Sequence, residues 1–186
     1  ETVRLKAIAC KEGWYCSKLL DVTCYVEGQK PEEVSLLLPA DKQYPGEGAS
    51  TLTDGRKGFP DVLKEPSWLA FRENSFEAGF SFGDNPPAIH KVVLSYCDNL
   101  GGYIFPPTEV EVWGGPNARD LTKIQTLKID QPTAYRSQSM QALDVSFDSS
   151  TYSYYKIVAK PVSKLPPWHN GKGQKGWFFV DEVFFY

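Results

Sequence analysis

The chain has 186 residues, is 41% hydrophobic and 14% aromatic, and carries a formal charge of -3. That length holds one β domain, or one domain plus a small extra piece, and is enough for a core without staples. The acidic balance and the lack of a basic stripe argue against nucleic-acid or anionic-membrane partners, and no apolar stretch approaches a membrane span.

Fourteen prolines and fifteen glycines favour short strands and turns over helices. No signal peptide is read, and the abrupt opening at Glu1 suggests a piece excised from a larger protein. Residues 3–10 alternate apolar and polar and predict a half-buried strand; Glu12-Gly13 is a turn, and 20–27 alternate again. Gly28 to Glu33 reads as a linker, and Val34 to Leu38 as a short strand. Pro39 to Asp61 is long and aperiodic, which marks a functional segment or one pinned by an ion. From Trp68 the strands come quickly: 68–71, 75–82, 88–96, 109–113, 122–129, 141–147, 154–159 and 177–185. No stretch sustains a 3.6-residue apolar period, so eight or nine short strands predict an all-β antiparallel sandwich or jelly roll.

The four cysteines, Cys10, Cys16, Cys24 and Cys97, match no zinc spacing, and His90 and His169 lie far from them. If 3–10 and 20–27 form a hairpin, Cys10 and Cys24 come close enough for a cross-strand disulfide; buried free thiols are the equal alternative. His90 alternates with Ile89 and Lys91 and reads as a surface or satisfied histidine. Trp68, Trp113 and Trp177 fall on strands and read as core. Alternation sends Asp181 and Glu182 to opposite faces of the last strand, so at least one carboxylate needs a cation or strong donors.

Four stretches carry a resemblance: Gln43 to Gly55, Gly102 to Trp113, Pro167 to Gly173 and Trp177 to Val183. Together they resemble the galactose-binding-like domain (discoidin, or coagulation factor 5/8 type C). The copies they look most like are carbohydrate-binding modules attached to secreted bacterial glycoside hydrolases such as β-hexosaminidases. The resemblance covers 34–186. Residues 5–17 resemble the final hairpin of a fibronectin-III-associated (chitobiase C-terminal-like) β domain, with Cys16 where such sequences often carry proline. Residues 1–30 are then the last strands of a truncated domain.

The resemblance implies a structural Ca²⁺ held by the Asp54 side chain, the Glu182 side chain and the Asp181 main-chain carbonyl. Arg56 departs from the family's short polar residue at that place; a salt bridge from Arg56 or Lys57 to Glu182, with no metal, is the alternative. For a sugar ligand, Trp168, His169 and Asn170 on a Gly-rich loop supply an aromatic platform and polar reach, with Arg72 and Tyr103 as further candidates and Trp68 and Asn99 beside them. The structural alternative packs Trp168 as a lid over the sandwich end, with His169 bonded to a backbone carbonyl. No nucleophile elbow is present and no carboxylate pair stands out, so no catalytic residue is expected. The expected protein is a non-catalytic carbohydrate-binding module of an exported bacterial glycoside hydrolase, secreted, periplasmic or on the cell surface. Its partners are glycan and the other domains of its parent. The other reading is a structural module that packs against a catalytic neighbour without binding sugar.

Overall fold

The computed structural model of the chain describes residues 3–186, with residues 21–23 described by their backbone alone. Eleven strands follow the sequence alternations among these residues: β1 Val3–Ala7, β2 Leu20–Cys24, β3 Glu33–Leu36, β4 Leu69–Phe71, β5 Phe76–Ser81, β6 Ile89–Asp98, β7 Glu109–Gly115, β8 Thr122–Lys128, β9 Ser139–Ser150, β10 Tyr154–Lys160 and β11 Phe178–Phe185. A five-stranded sheet of order β3-β5-β10-β7-β8 faces a four-stranded sheet of order β4-β11-β6-β9, and the strand pairs are antiparallel. This is the antiparallel β-sandwich jelly roll expected from the strand spacing.

Period-two alternation explains the core. On β5, Phe76, Ala78 and Phe80 enter it; on β10, Tyr155, Ile157 and Ala159 do the same. From the facing sheet come Val92, Leu94 and Tyr96 of β6 and Phe178, Val180, Val183 and Phe185 of β11. The ring of Phe185 meets Phe80, Phe82 and Tyr155 at centroid distances of 4.8, 5.1 and 6.0 Å. Burying each such side chain contributes about 2–3 kcal/mol.

The spacing between Val180 and Val183 breaks the alternation. Val180 pairs with Tyr96 and Glu182 with Ser95, so Asp181 is an unpaired bulge residue. The extra residue keeps Val180 and Val183 in the core and turns Asp181 and Glu182 together, away from it. The expectation that these two carboxylates point to opposite faces is corrected by this bulge.

A second apolar cluster covers the outer face of the four-stranded sheet. Trp68, Ala70, Cys97, Ile104 and Phe179 pack there, with Tyr44, Leu63, Met140 and Trp177 against them. The long segment after Pro39 is therefore laid across that face. Trp68 is core as expected, while Trp177 is only partly buried and Trp113 stands between Lys123 and Lys156, whose ammonium groups lie 5.2 and 4.9 Å from its ring.

The N-terminal hairpin pairs β1 with β2 as expected, but its register places Val3 opposite Cys24 and leaves Cys10 beyond the paired residues. The disulfide joins Cys10 to Cys16, closing the turn, while Cys24 is a free exposed thiol and Cys97 a free buried one. A Cys10–Cys24 bridge is thus excluded by register. Residues 25–31 return to the sandwich: Tyr25 stacks on Phe184 at 4.7 Å, Gln29 bridges to Phe185, and the Tyr186 hydroxyl donates to the Val26 carbonyl.

Candidate functional site

β4, β6, β8 and β10 all run toward one end of the sandwich. The segments that follow them, 72–75, 99–108, 129–138 and 161–177, gather there. Arg72, Tyr103, Trp168, His169 and Asn170 all lie on these segments. Phe105 and Trp168 cap the end with Leu100, Val162 and Leu165.

The Trp168-His169 loop folds through successive tight turns, His169 N–H to Pro166 and Lys172 N–H to His169, and is closed at its base by Gly173 N–H to Leu165. Gly171 is required here, because a Cβ would sit 2.1 Å from the Tyr103 ring. His169 is only 2% exposed. The Gly171 N–H donates to its Nδ1 at 2.9 Å, so the ring carries its proton on Nε2 and donates to the Leu100 carbonyl at 2.7 Å. Both nitrogens are committed to the protein, and the ring is walled by Tyr103, Phe105 and Tyr135 at 4.9, 5.3 and 5.3 Å.

Trp168 keeps part of its surface open, and Tyr135 crosses it edge-on at 5.1 Å. Tyr135 is 47% exposed, and its hydroxyl accepts the Asn170 N–H at 3.0 Å. The structure therefore brings Tyr103, Trp168, His169 and Asn170 together and adds Tyr135. Arg72 joins a different neighbour, with its guanidinium 5.1 Å from the Trp177 ring and its Nε buried without a partner. Tyr135 was the residue missed: its segment shows no periodicity, and the visible signal is an aromatic and an arginine side by side in a polar connection. His90 is exposed, as expected.

The last strand holds the second set of candidates. Asp181 is fully buried, and its Oδ2 accepts from Lys57 Nζ at 2.7 Å and from the Gly58 N–H at 2.9 Å. Gly58 makes this approach possible, since a Cβ would lie 2.3 Å from the Trp68 ring. Lys57 also donates to Ser95 and stands 5.0 Å from the Tyr25 ring. Burial raises the Asp181 carboxyl above its usual range, and the Lys57 ammonium opposes that rise. The expected salt bridge from Arg56 or Lys57 to Glu182 is corrected: Lys57 pairs with Asp181, and Arg56 reaches Glu47 at 3.6 Å.

Glu182 is pushed up to about 8 by burial, by Asp181 and by the Asp54 carboxyl within hydrogen-bonding reach. Its Oε1 is buried without a partner. Two carboxyls in mutual reach, one with a buried oxygen that finds no protein donor, form a donor set that suits a hard cation. Among the described residues no three His, Cys, Asp or Glu side chains are grouped to hold a metal ion. A cation here would therefore draw on main-chain carbonyls beside Asp54 and Glu182.

No family model and no curated protein matches the sequence. Solved structures do match the fold. The CBM32 of AlyQ, in complex with 4,5-unsaturated mannuronic acid, aligns with a TM-score of 0.51 at 12% identity, over 87% of this chain and 98% of that one. CpGH89CBM32-5 from Clostridium perfringens, in complex with GalNAc-β-1,3-galactose, gives 0.51 at 17% identity, over 83% of this chain and 94% of that one. The C-terminal domain of a chitobiase from Bacteroides fragilis gives 0.51 at 16% identity, over 86% and 97%. The chain has the galactose-binding-like β-sandwich fold. More particularly, the fold is that of the structures designated CBM32. Among the described residues no helix is long and apolar enough to cross a membrane.

Proposed function

We propose that this chain is a non-catalytic carbohydrate-binding module of an exported bacterial glycoside hydrolase and that it holds the catalytic domain near its glycan. One observation carries the reading: at the loop end of a sandwich with the CBM32 fold, the partly open Trp168 and the exposed Tyr135 meet, with Asn170 exposed beside them. Aromatic rings offer sugars a face for their C–H groups, and amides answer the hydroxyls. Attachment to the parent enzyme then raises the local concentration of substrate. His169 and Tyr103 support this surface from beneath, while Arg72 stands apart from it at Trp177. In a glycan array followed by calorimetry, Trp168→Ala and Tyr135→Ala are expected to lose at least tenfold in affinity, with Tyr135→Ala melting like the parent chain and Trp168→Ala melting lower because it also gives up its packing on Phe105. Unchanged binding in both variants sinks the reading of this surface.

The same reading includes a structural Ca²⁺ at Asp54 and Glu182, with the Asp181 main-chain carbonyl. Its role is to fasten the loop before β4 to β11. Saturating chelator is then expected to lower Tm by several degrees, because a ligand bound only to the folded state stabilises it. An unchanged melt with no calcium in elemental analysis removes the ion.

A second reading is favoured by the N-terminal hairpin. Val3, Leu5 and Leu20 are exposed, and Trp14 and Tyr15 stand out from the Cys10–Cys16 turn at 71% and 104% exposure. Such a surface fits packing against a neighbouring domain of the parent, as the remnant of a fibronectin-III-associated domain would.

A further inference from the structure

Beside Tyr135 in the chain lies a polar cluster of Asp98, Asn99, Arg136 and Gln138, of which the sequence singles out only Asn99. Asp98, the last residue of β6, is 0% exposed. Its Oδ2 accepts from both Nε and Nη2 of Arg136, and its Oδ1 is buried without a partner. A buried carboxylate that takes two donors from one guanidinium locks the plane of that group. Arg136 nevertheless keeps its side chain 49% exposed, so its remaining N–H groups face outward from a fixed frame.

Two amides are fixed beside it. Asn99 Oδ1 accepts the Gly102 N–H at 3.0 Å, and Asn99 Nδ2 donates to Gln138 Oε1 at 2.9 Å. Gln138 Nε2 in turn donates to Asp61. The chain of bonds runs one way, so each amide oxygen already accepts one bond inside the cluster, and each nitrogen keeps one N–H to give. Three loops thus converge, those holding Asp61, Asn99 and Arg136–Gln138, and they present surplus donors in fixed positions.

We infer that Arg136, Asn99 and Gln138 form the polar subsite that orients a neutral sugar against Tyr135, with Asp98 as the positioning residue that aims the guanidinium. This deepens the carbohydrate-binding reading above and rests on it. Surplus donors call for an acceptor-rich ligand, such as vicinal hydroxyls or an acetamido carbonyl. Charge decides between neutral and acidic sugars. Asp98 already neutralises Arg136, and Asp61 adds a further negative charge at the rim, so a uronate carboxylate is disfavoured.

The test is a titration of the full chain with galactose, N-acetylgalactosamine, N-acetylglucosamine and galacturonate, read by amide NMR shifts. The wild type is expected to prefer a neutral sugar, with shifts at 98–102 and 131–138. Gln138→Ala is expected to weaken binding at least tenfold with unchanged Tm; Arg136→Met is expected to weaken it at least as much while lowering Tm, because it strands the buried Asp98 carboxylate, and Arg136→Lys to recover little affinity, since an ammonium lacks the planar fork. Asp98→Asn and Asp61→Asn are each expected to move the galacturonate-to-galactose affinity ratio upward by about threefold to fivefold. A purely structural role would leave that ratio alone. If the wild type binds none of the four sugars, the carbohydrate reading falls and this subsite with it. If it binds one while Arg136→Met and Gln138→Ala bind within twofold, or if the shifts lie elsewhere, only the subsite is overturned. A wild-type preference for galacturonate overturns the neutral-sugar assignment, and an unmoved ratio in both aspartate variants overturns the positioning role.

Discussion

At the scale of single residues, His169 shows how a chemically suggestive side chain becomes architecture. An imidazole has two polar atoms, and here Leu100 and Gly171 take both, inside a wall of three rings. What remains for a ligand is the surface His169 shapes: Trp168 on one side of it and Asn170 on the other. His169→Ala removes a buried ring and leaves the Leu100 carbonyl and Gly171 N–H without partners. The expected cost is about 3 kcal/mol, from the lost packing and two unmade hydrogen bonds. Urea unfolding of the variant measures it. Glycan affinity should fall in parallel with that loss, whereas Trp168→Ala should lower affinity far more than stability. A His169→Ala chain as stable as the parent would return the ring to the list of ligand contacts.

At the scale of elements, the bulge at Asp181 governs the second site. A regular strand would send one carboxylate into the core among Phe80 and Tyr155, where an uncompensated charge is costly. The bulge turns both outward, and Lys57 arrives from the loop before β4 to meet Asp181. Cutting this pair from one side leaves a buried carboxylate alone. Lys57→Met is expected to destabilise by about 3–5 kcal/mol, and the double variant Lys57→Met, Asp181→Leu to regain most of that loss. A thermal-denaturation cycle on the four proteins gives the coupling; an additive cycle contradicts the latch.

Strands with a clean period of two, such as 75–82 and 154–159, were legible because burial of one face leaves no other solution. The carboxylate problem in the last strand was legible too, since cost follows from composition. The bulge that solves it was not, because a one-residue insertion leaves no mark in an alternation already broken by Asp181-Glu182. Nor was the partner of Cys10: whether Cys24 comes opposite it depends on hairpin register, which alternation alone does not fix. The loop-end cluster was half legible. Trp168-His169 announces itself by composition, whereas Arg136 becomes interesting only when β6 and β9 place Asp98 beneath it.

At the scale of the whole molecule, contact with the sandwich is already made at Tyr25, ahead of the linker that composition marks. The hairpin β1–β2 is a two-stranded sheet with exposed apolar residues, and such a ribbon has little stability of its own. Residues 25–31, by contrast, are built into the sandwich through the Tyr25–Phe184 stack, the bridge from Gln29 to Phe185 and the bond from Tyr186 to Val26. Gly28 lies so close to the Phe185 carbonyl that a Cβ would stand 2.3 Å from its oxygen. Tyr25 also shields the Lys57–Asp181 pair, and burial pushes its own hydroxyl up to about 12. Two truncations separate these roles. Removal of residues 1–24 is expected to leave the sandwich Tm within about 2 °C of the parent, because the hairpin contributes little to the core. Removal of 1–31 exposes Phe184 and the ion pair together, and is expected to cost about 2–4 kcal/mol from lost apolar burial and weakened shielding. Calorimetry on the two shortened chains decides it. Equal melting of both would mean that residues 25–31 only rest on the last strand. A large loss on removing 1–24 alone would mean that the hairpin is part of the sandwich's own stability.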